Sequence, residues 1–300
     1  MLQKFDPRNK DIKIYVGGQI YNRDEAKVSV FDSVVQGGDA VWEGLRLYQQ
    51  GIFMLDRHLR RLHDSAVAMH FADIPDTAFI KEALAKTLKA NNMVDDVHIR
   101  LTLTRGEKIT SGMDPRLNTK GSCLIIVPEY KAPVYDNDSG IKVMTSTIRR
   151  NSPNHLDSKI HHNNLINNIL AKIQANMAGV DAALMLDVHG FASELNGTNI
   201  FMVRDGIVYT PHADACLPGI TRSLILDICS EQGIPCIEKN LSLVELYNAD
   251  QVFCTGTMGE LTPIVELDGR VIADKSGKET LTRLRVEFEK KIPELSVSVF

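Results

Sequence analysis

The sequence predicts a two-domain α+β protein, and three observations predict it. Strand-like and helix-like stretches follow one another without the regular alternation of a doubly wound sheet. A turn-rich stretch, YKAPVYDNDSG at 130–140, gathers Pro, Gly, Asn and Asp between two apolar strands. The length of 300 residues suits one large domain or two ordinary ones. The expected organisation is a small domain over 1–129, a linker over 130–140 and a larger domain over 141–300.

The elements follow in order. IKIYV, the Gly17-Gly18 pair and QIY predict a short hairpin. AVWEGLRLY and IFML, flanking QQG, predict a second. Asp56 is the expected N-cap of a helix carrying Leu59, Leu62, Ala66 and Met69 at spacings of three and four. Asp76 is the expected cap of another, with Phe79, Ile80, Ala83, Leu84, Thr87 and Leu88 on its inner stripe. VHIRLTLT (97–104) alternates, so Val97, Ile99, Leu101 and Leu103 should meet a core. His98, Arg100, Thr102 and Thr104 should then be solvated or line a cavity. CLIIVP is a further strand.

In the second half, IKVMTST (141–147) reads as a strand, and Arg149-Arg150 after it as a solvated pair. Ile166, Ile169, Ile173 and Met177 share one face of a helix stopped by Gly179. AALML and FMV read as strands, the latter turning at Asp205-Gly206 into IVYTP. TRSLILDICSEQG is a helix ending at Gly233. Ser242 and Glu245 form a capping box, and QVFCTGT is a strand running into a turn.

Composition narrows the function. A net charge of −4 argues against a nucleic-acid partner. The longest apolar runs are too short to span a membrane, and MLQKFDPRNKDIK holds no apolar signal-peptide core, so a cytoplasmic protein is expected. The five cysteines form no CxxC pair and are expected to be reduced thiols. The tandem His161-His162 lacks companions at ligand spacing, so no metal is expected there.

LDSKIHHNNLINN (156–168) surrounds Lys159 with histidines and asparagines at the start of an apolar helix. A lysine amine acts as a nucleophile when it forms a Schiff base with a carbonyl or with pyridoxal phosphate. Such a site needs a carboxylate for the pyridine nitrogen, backbone amides at a helix start for the phosphate, and an arginine fork. Glu194 lies in GFASELNGTNIF, read as a loop between strands. LPGITR (217–222) precedes a helix, and TGTM (255–258) closes a strand. Taken singly, each has an ordinary alternative: a solvated charge or a loop–helix junction.

In order, VWEGLR (41–46), RHLRRLHDSA (57–66), Lys159, SELNGTNIF (193–201), LPGITR, ADQVFCTGTMGELTP (249–263) and the DG of LDGR resemble the class IV, or fold type IV, pyridoxal-phosphate aminotransferases. Branched-chain amino acid aminotransferases are the nearest group. The resemblance runs from about residue 12 to about residue 285. It implies a small α/β N-terminal domain and a larger C-terminal domain with a barrel-like β core. It implies that Lys159 holds the cofactor and shuttles the proton at the substrate Cα, and that Glu194 pairs with the pyridine nitrogen. It gives the phosphate to Arg61, Ile220, Thr221 and Thr257. It places Arg46, His98, Arg100, Thr257 and Met258 on the substrate side. It also implies an amino donor with a 2-oxo acid acceptor, and a homodimer or a multiple of dimers.

Three departures from the branched-chain pattern stand out. Gly37, His98 and Asn164 occupy positions where those enzymes carry tyrosines. Weaker use of branched L-amino acids and a broader donor range are therefore expected. A D-amino acid or (R)-amine transaminase and a lyase resembling aminodeoxychorismate lyase remain alternatives on the same fold. Arg105 and Arg116 bracket the loop GEKITSGMDP, either as a carboxylate-binding cover or as a surface loop.

Overall fold

The computed structural model describes residues 3–272 and 279–299. The chain divides into two compact units. An N-terminal unit takes in Leu2–Ala132, Ile160–Asn164 and Ile292–Phe300, and a C-terminal unit takes in Pro133–Lys159 and Leu165–Lys291.

The N-terminal unit contains β1 (Lys13–Val16), β2 (Gln19–Asn22), α1 (Ser33–Gly37), β3 (Ala40–Tyr48), β4 (Gly51–Phe53), α2 (Leu55–Ala68), α3 (Thr77–Ala90), β5 (Val97–Thr104) and β6 (Cys123–Tyr130). Its sheet runs β4-β3-β5-β6-β1-β2. The β3–β5 ladder is antiparallel and unbroken from Ala40↔Thr104 to Leu47↔Val97. Val97, Ile99, Leu101 and Leu103 are buried, as the alternation predicts, and join a core with Leu59, Leu62 and Ala66 of α2 and Ile80, Leu84 and Leu88 of α3.

Two helix details depart from the sequence reading. The cap of α2 is Met54, in the left-handed region at φ 50 with no side-chain cap bond. Asp56 stands inside the first turn, where its charge favours the helix dipole and where Lys81 Nζ meets it at 2.6 Å. Asp76 does cap α3, accepting from the Phe79 N–H at 2.7 Å. Phe79 itself is 47% exposed, because the buried stripe follows positions 80, 83, 84, 87 and 88 and leaves position 79 to one side.

The C-terminal unit contains β7 (Ile141–Thr145), α4 (Ile166–Met177), β8 (Ala182–Leu186), β9 (Ala192–Leu195), β10 (Asn199–Arg204), β11 (Ile207–Thr210), α5 (Ile220–Glu231), β12 (Cys236–Glu238), α6 (Leu243–Tyr247), β13 (Gln251–Gly256), β14 (Glu260–Leu267), β15 (Arg270–Val271) and the start of α7 (Glu279–Leu295). A curled sheet runs β12-β11-β10-β13-β14-β7-β8-β9, with β15 on β14. It is mixed: β11–β12, β14–β7 and β7–β8 are parallel and the other pairs antiparallel. The capping box forms at Ser242 and Glu245, and Asp205-Gly206 turns with both residues at positive φ.

Two further readings change here. Glu194 is in a strand, not a loop, paired opposite Met185 between the buried Ala192 and Leu195. In α4 the expected stripe does share a face, but Ile166, Ile169, Ile173 and Met177 are 46–83% exposed. Ala171 and Ala175 are the buried residues, packed against Ala183 and Met185 of β8.

Two late segments of the chain join the N-terminal unit. β16 (Ser296–Val297) pairs antiparallel with β4. Gly51 allows this closeness, since a Cβ there would lie 2.3 Å from the Val297 carbonyl oxygen. Residues 160–164 extend the sheet beside β3. The Trp42 N–H donates to the His161 carbonyl at 3.0 Å, and the Asn163 N–H to that of Ala40 at 2.7 Å. The expected domain 141–300 therefore lacks these two segments, because backbone pairing rather than chain continuity assigns them. Among the described residues, no helix is long and apolar enough to cross a membrane.

Candidate functional site

In the C-terminal unit, β9 presents Glu194, whose carboxylate is almost wholly buried. Arg150 Nε donates to its Oε1 at 2.6 Å, and Asn199 Nδ2 to its Oε2 at 3.2 Å. A buried carboxylate needs such a partner, since an unpaired ion in low dielectric is costly. Asn199 also donates to the Leu217 carbonyl at 2.9 Å, and its backbone stands opposite Thr255 in the β10–β13 ladder. Asn199 thus ties together Glu194, the LPGIT turn and the strand that ends in TGTM.

The turn leads into α5. Gly219 is its N-cap and provides no side chain to cap the first amides. A Cβ at Gly219 would lie 2.0 Å from Asn199 Oδ1, so only glycine lets the helix start approach this close. Ile220 and Thr221, the first two residues of the helix, are buried. Thr255 Oγ1 is buried without a hydrogen-bond partner among the described residues. The Thr257-Met258 turn follows, half-buried, and the Val134 N–H reaches the Met258 carbonyl at 3.3 Å. An uncapped helix start beside a paired, buried carboxylate suits a ligand with an anionic end and a basic ring nitrogen.

Lys159 closes a stretch of this unit. Its side chain is 43% exposed, with Nζ 2.9 Å from Asp157 Oδ1. The Asp157 carboxylate also accepts the Lys159 backbone N–H at 3.0 Å. Arg150 and Asn167, on either side of Lys159 in sequence, are joined by a hydrogen bond of 3.3 Å.

In the N-terminal unit, β3 turns Glu43 towards α2 and Trp42 to the other face. Glu43 is 0% exposed. Arg61 donates to it from Nε at 2.8 Å and from Nη2 at 2.7 Å, and His58 and His161 contact it at 2.7 and 3.1 Å. Burial alone would raise the Glu43 pKa, but Arg61 and His161 reverse this and hold it well below the usual carboxylate range. Burial also lowers His58, and takes His161 down to about 4, so both rings are neutral at pH 7.

The opposite face carries Arg46, His98 and Arg100, with Arg46 facing His98 and Gly44 facing Arg100 in the ladder. Arg46 is already engaged, by Asp96 at 2.8 Å and the Lys131 carbonyl at 2.7 Å. Burial, then the neighbouring Lys131, Arg100 and Arg46, push His98 down to about 3. At pH 7 His98 therefore presents a neutral ring on this face. Arg100 lies over the Trp42 ring, 3.4 Å from its centroid, and donates to Asn163 Oδ1 at 2.5 Å. Burial brings its pKa down to about 10, which leaves it charged at pH 7.

The loop arginines are locally satisfied. Arg105 pairs with Asp39 at 2.6 Å, and Arg116 pairs with Asp114 on the surface. Sequence reasoning misses two residues. The expected solvated pair Arg149-Arg150 is split: Arg149 is exposed, and Arg150 is buried on Glu194. Glu43 lies unremarked within VWEGLR. Its position between the inward-facing Val41 and Leu45 is the signal, because a carboxylate at a core position demands partners.

The family described as Amino-transferase class IV matches residues 40–267. The chain is 55% identical over 284 residues to branched-chain-amino-acid aminotransferase-like protein 2 of Arabidopsis thaliana, covering 95% of this chain and 51% of that protein. It thus spans about half the length of the two Arabidopsis relatives it matches. It is 40% identical over 280 residues to a putative branched-chain-amino-acid aminotransferase of Methanocaldococcus jannaschii, covering 93% and 96% of the two chains. Among solved structures, the Thermoproteus uzoniensis branched-chain aminotransferase with norvaline superposes with a TM-score of 0.87 at 29% identity, covering 97% of this chain and 100% of that one. The Thermobaculum terrenum branched-chain amino acid aminotransferase in its PLP-form gives 0.83 at 25% identity, covering 95% of each chain.

Proposed function

The chain belongs to the class IV aminotransferases, and from that premise we propose that it transfers an amino group from a branched-chain-type L-amino acid to a 2-oxo acid, with pyridoxal phosphate as cofactor. The observation that carries this reading is the Glu194–Asn199–Leu217 network, which ties a buried carboxylate to an uncapped helix start. The names of the relatives favour it over the D-amino acid, (R)-amine and lyase alternatives.

When bound, pyridoxal phosphate supplies the electron sink for the charge that develops at the substrate Cα. Lys159 would hold the cofactor through its side-chain amine and would move the proton at the substrate Cα. Glu194, held by Arg150, would accept the N–H of the ring nitrogen and keep that nitrogen protonated. The amides of Ile220 and Thr221, with Thr257, would hold the phosphate, and the resemblance also assigns Arg61 to it. Arg100, which lies against an aromatic face and a neutral amide, meets a substrate carboxylate. The Thr257-Met258 turn also serves the substrate. Arg46 supports its strand, and His98 offers a neutral ring.

The protein acts as a homodimer or a multiple of one. The exposed Ile166, Ile169, Leu170, Ile173 and Met177 of α4 support this, as an apolar stripe left uncovered among the described residues. The unbridged cysteines support a reducing compartment such as the cytoplasm. The test is a half-reaction with L-leucine followed by cofactor absorbance. Lys159→Ala should lose both the visible cofactor band and turnover. A variant that keeps both refutes the assignment of Lys159.

A further inference from the structure

We infer that Glu43 is a positioning residue that sets the anion-binding attitude of Arg61 and fixes the tautomers of His58 and His161. The inference rests on the reading of Arg61 as a phosphate ligand.

The geometry leaves Glu43 little freedom. Oε1 receives Arg61 Nε and His161 Nδ1, and Oε2 receives Arg61 Nη2 and His58 Nδ1. Each carboxylate oxygen therefore meets two nitrogens, which matches its two lone pairs. An ionised carboxylate only accepts, so each neutral imidazole must carry its proton on Nδ1, leaving Nε2 as the bare nitrogen. The Arg61 contact is bidentate through one edge of the guanidinium, so the plane of the whole fork is set by Glu43. One cation and one anion balance with both rings neutral, which is how a fully buried carboxylate is tolerated at a position flanked by the core residues Val41 and Leu45.

His161 joins the cluster from a distant part of the chain. Its ring lies 4.2 Å from that of Trp42, tilted by 38°, and its backbone N–H donates to Ser65 Oγ at 3.0 Å. Ser65 is on α2, as Arg61 is. Glu43 thus joins β3, α2 and the 160–164 segment through side chains in one unit. Glutamine at position 43 keeps the shape but offers one acceptor oxygen and one donor nitrogen. Arg61 must then lose one of its two bonds, and the ring facing the amide nitrogen must move its proton to Nε2.

Trp42 is the only tryptophan in the chain and reports on this cluster directly. The experiment titrates apo-protein with pyridoxal phosphate and, separately, with pyridoxal, reading Trp42 fluorescence. The wild type, Glu43→Gln, Glu43→Asp and Arg61→Ala are compared. In Glu43→Gln the affinity for pyridoxal phosphate should fall by roughly 10- to 100-fold, the size of one lost charge-assisted bond, while pyridoxal affinity holds within about twofold. Nitrogen chemical shifts of the histidine rings should show Nδ1–H at His58 and His161 in the wild type and a switched tautomer in at least one ring of the variant. Normal pyridoxal binding marks a folded variant. If Glu43→Gln binds neither ligand, Glu43→Asp decides, because its shorter reach should still lower the phosphate preference. A fall in preference with Arg61→Ala but none with the Glu43 variants overturns the role of Glu43. An unchanged preference with Arg61→Ala overturns the phosphate reading of Arg61, and this inference with it.

Discussion

His98 makes the N-terminal unit sensitive to acid, and His98→Gln should remove that contribution. The ring is buried, and its folded pKa is about 3 against an ordinary 6.5. A histidine with a lowered folded pKa takes up protons on unfolding, so stability is intact above pH 6.5 and is lost as pH falls towards 3. At about 1.4 kcal/mol per pH unit, the cost is about 2 kcal/mol at pH 5 and about 3 kcal/mol at pH 4. Glutamine is polar and of similar length but does not titrate. Buried His58 and His161 add acid sensitivity of their own, yet they are common to both proteins and cancel in the comparison. Urea unfolding followed through Trp42, in the same unit, measures the difference at pH 7 and pH 5. The variant should lose about 2 kcal/mol less than the wild type between those two values. Equal losses in the two proteins would refute the buried, neutral state of His98.

Two other outcomes are expected. In a donor panel of L-leucine, D-alanine and an (R)-arylalkylamine, half-reaction rates should rank L-leucine first, but below those of a branched-chain enzyme that carries the three tyrosines. A faster reaction with D-alanine or the amine overturns the assigned substrate class. Sedimentation should give a dimer or a multiple of one, and Ile169→Lys with Ile173→Lys should shift it towards monomer. An active wild-type monomer, or an unaltered dimer in the double variant, counts against α4 as the contact face.

Local chemistry is the most legible part of the sequence. The period of two in VHIRLTLT places four residues in the core, and all four are buried there. Asp76 and the Ser242–Glu245 box cap their helices because capping is decided within one turn. What depends on distant partners is not legible. Arg149 and Arg150 are chemically identical in the sequence, and only the position of β9 decides which one meets Glu194. The stripe on α4 is a genuine apolar face, but periodicity does not say whether it covers the chain's own core. Ala171 and Ala175 do that instead, being small enough to sit close to β8. Asp56 has the chemistry of a cap, but a left-handed Met54 starts the helix earlier. The site residues Glu194, Leu217 and Thr255 are connected through Asn199, a link that sequence order alone does not display.

The sheet of the N-terminal unit has a consequence for how the protein is made. Its β4 edge is completed by Ser296–Val297, and the start of β3 by 160–164. On the ribosome, residues 1–132 emerge well before either segment. Until they arrive, β3 and β4 offer unpaired backbone edges, and Glu43 lacks His161 among its partners. Such long-range closure slows folding and lengthens the time in which an open edge can pair with another chain. The sheet of the N-terminal unit therefore closes only after residues 160–164 and Ser296–Val297 have been made, which ties its assembly to segments far along the chain.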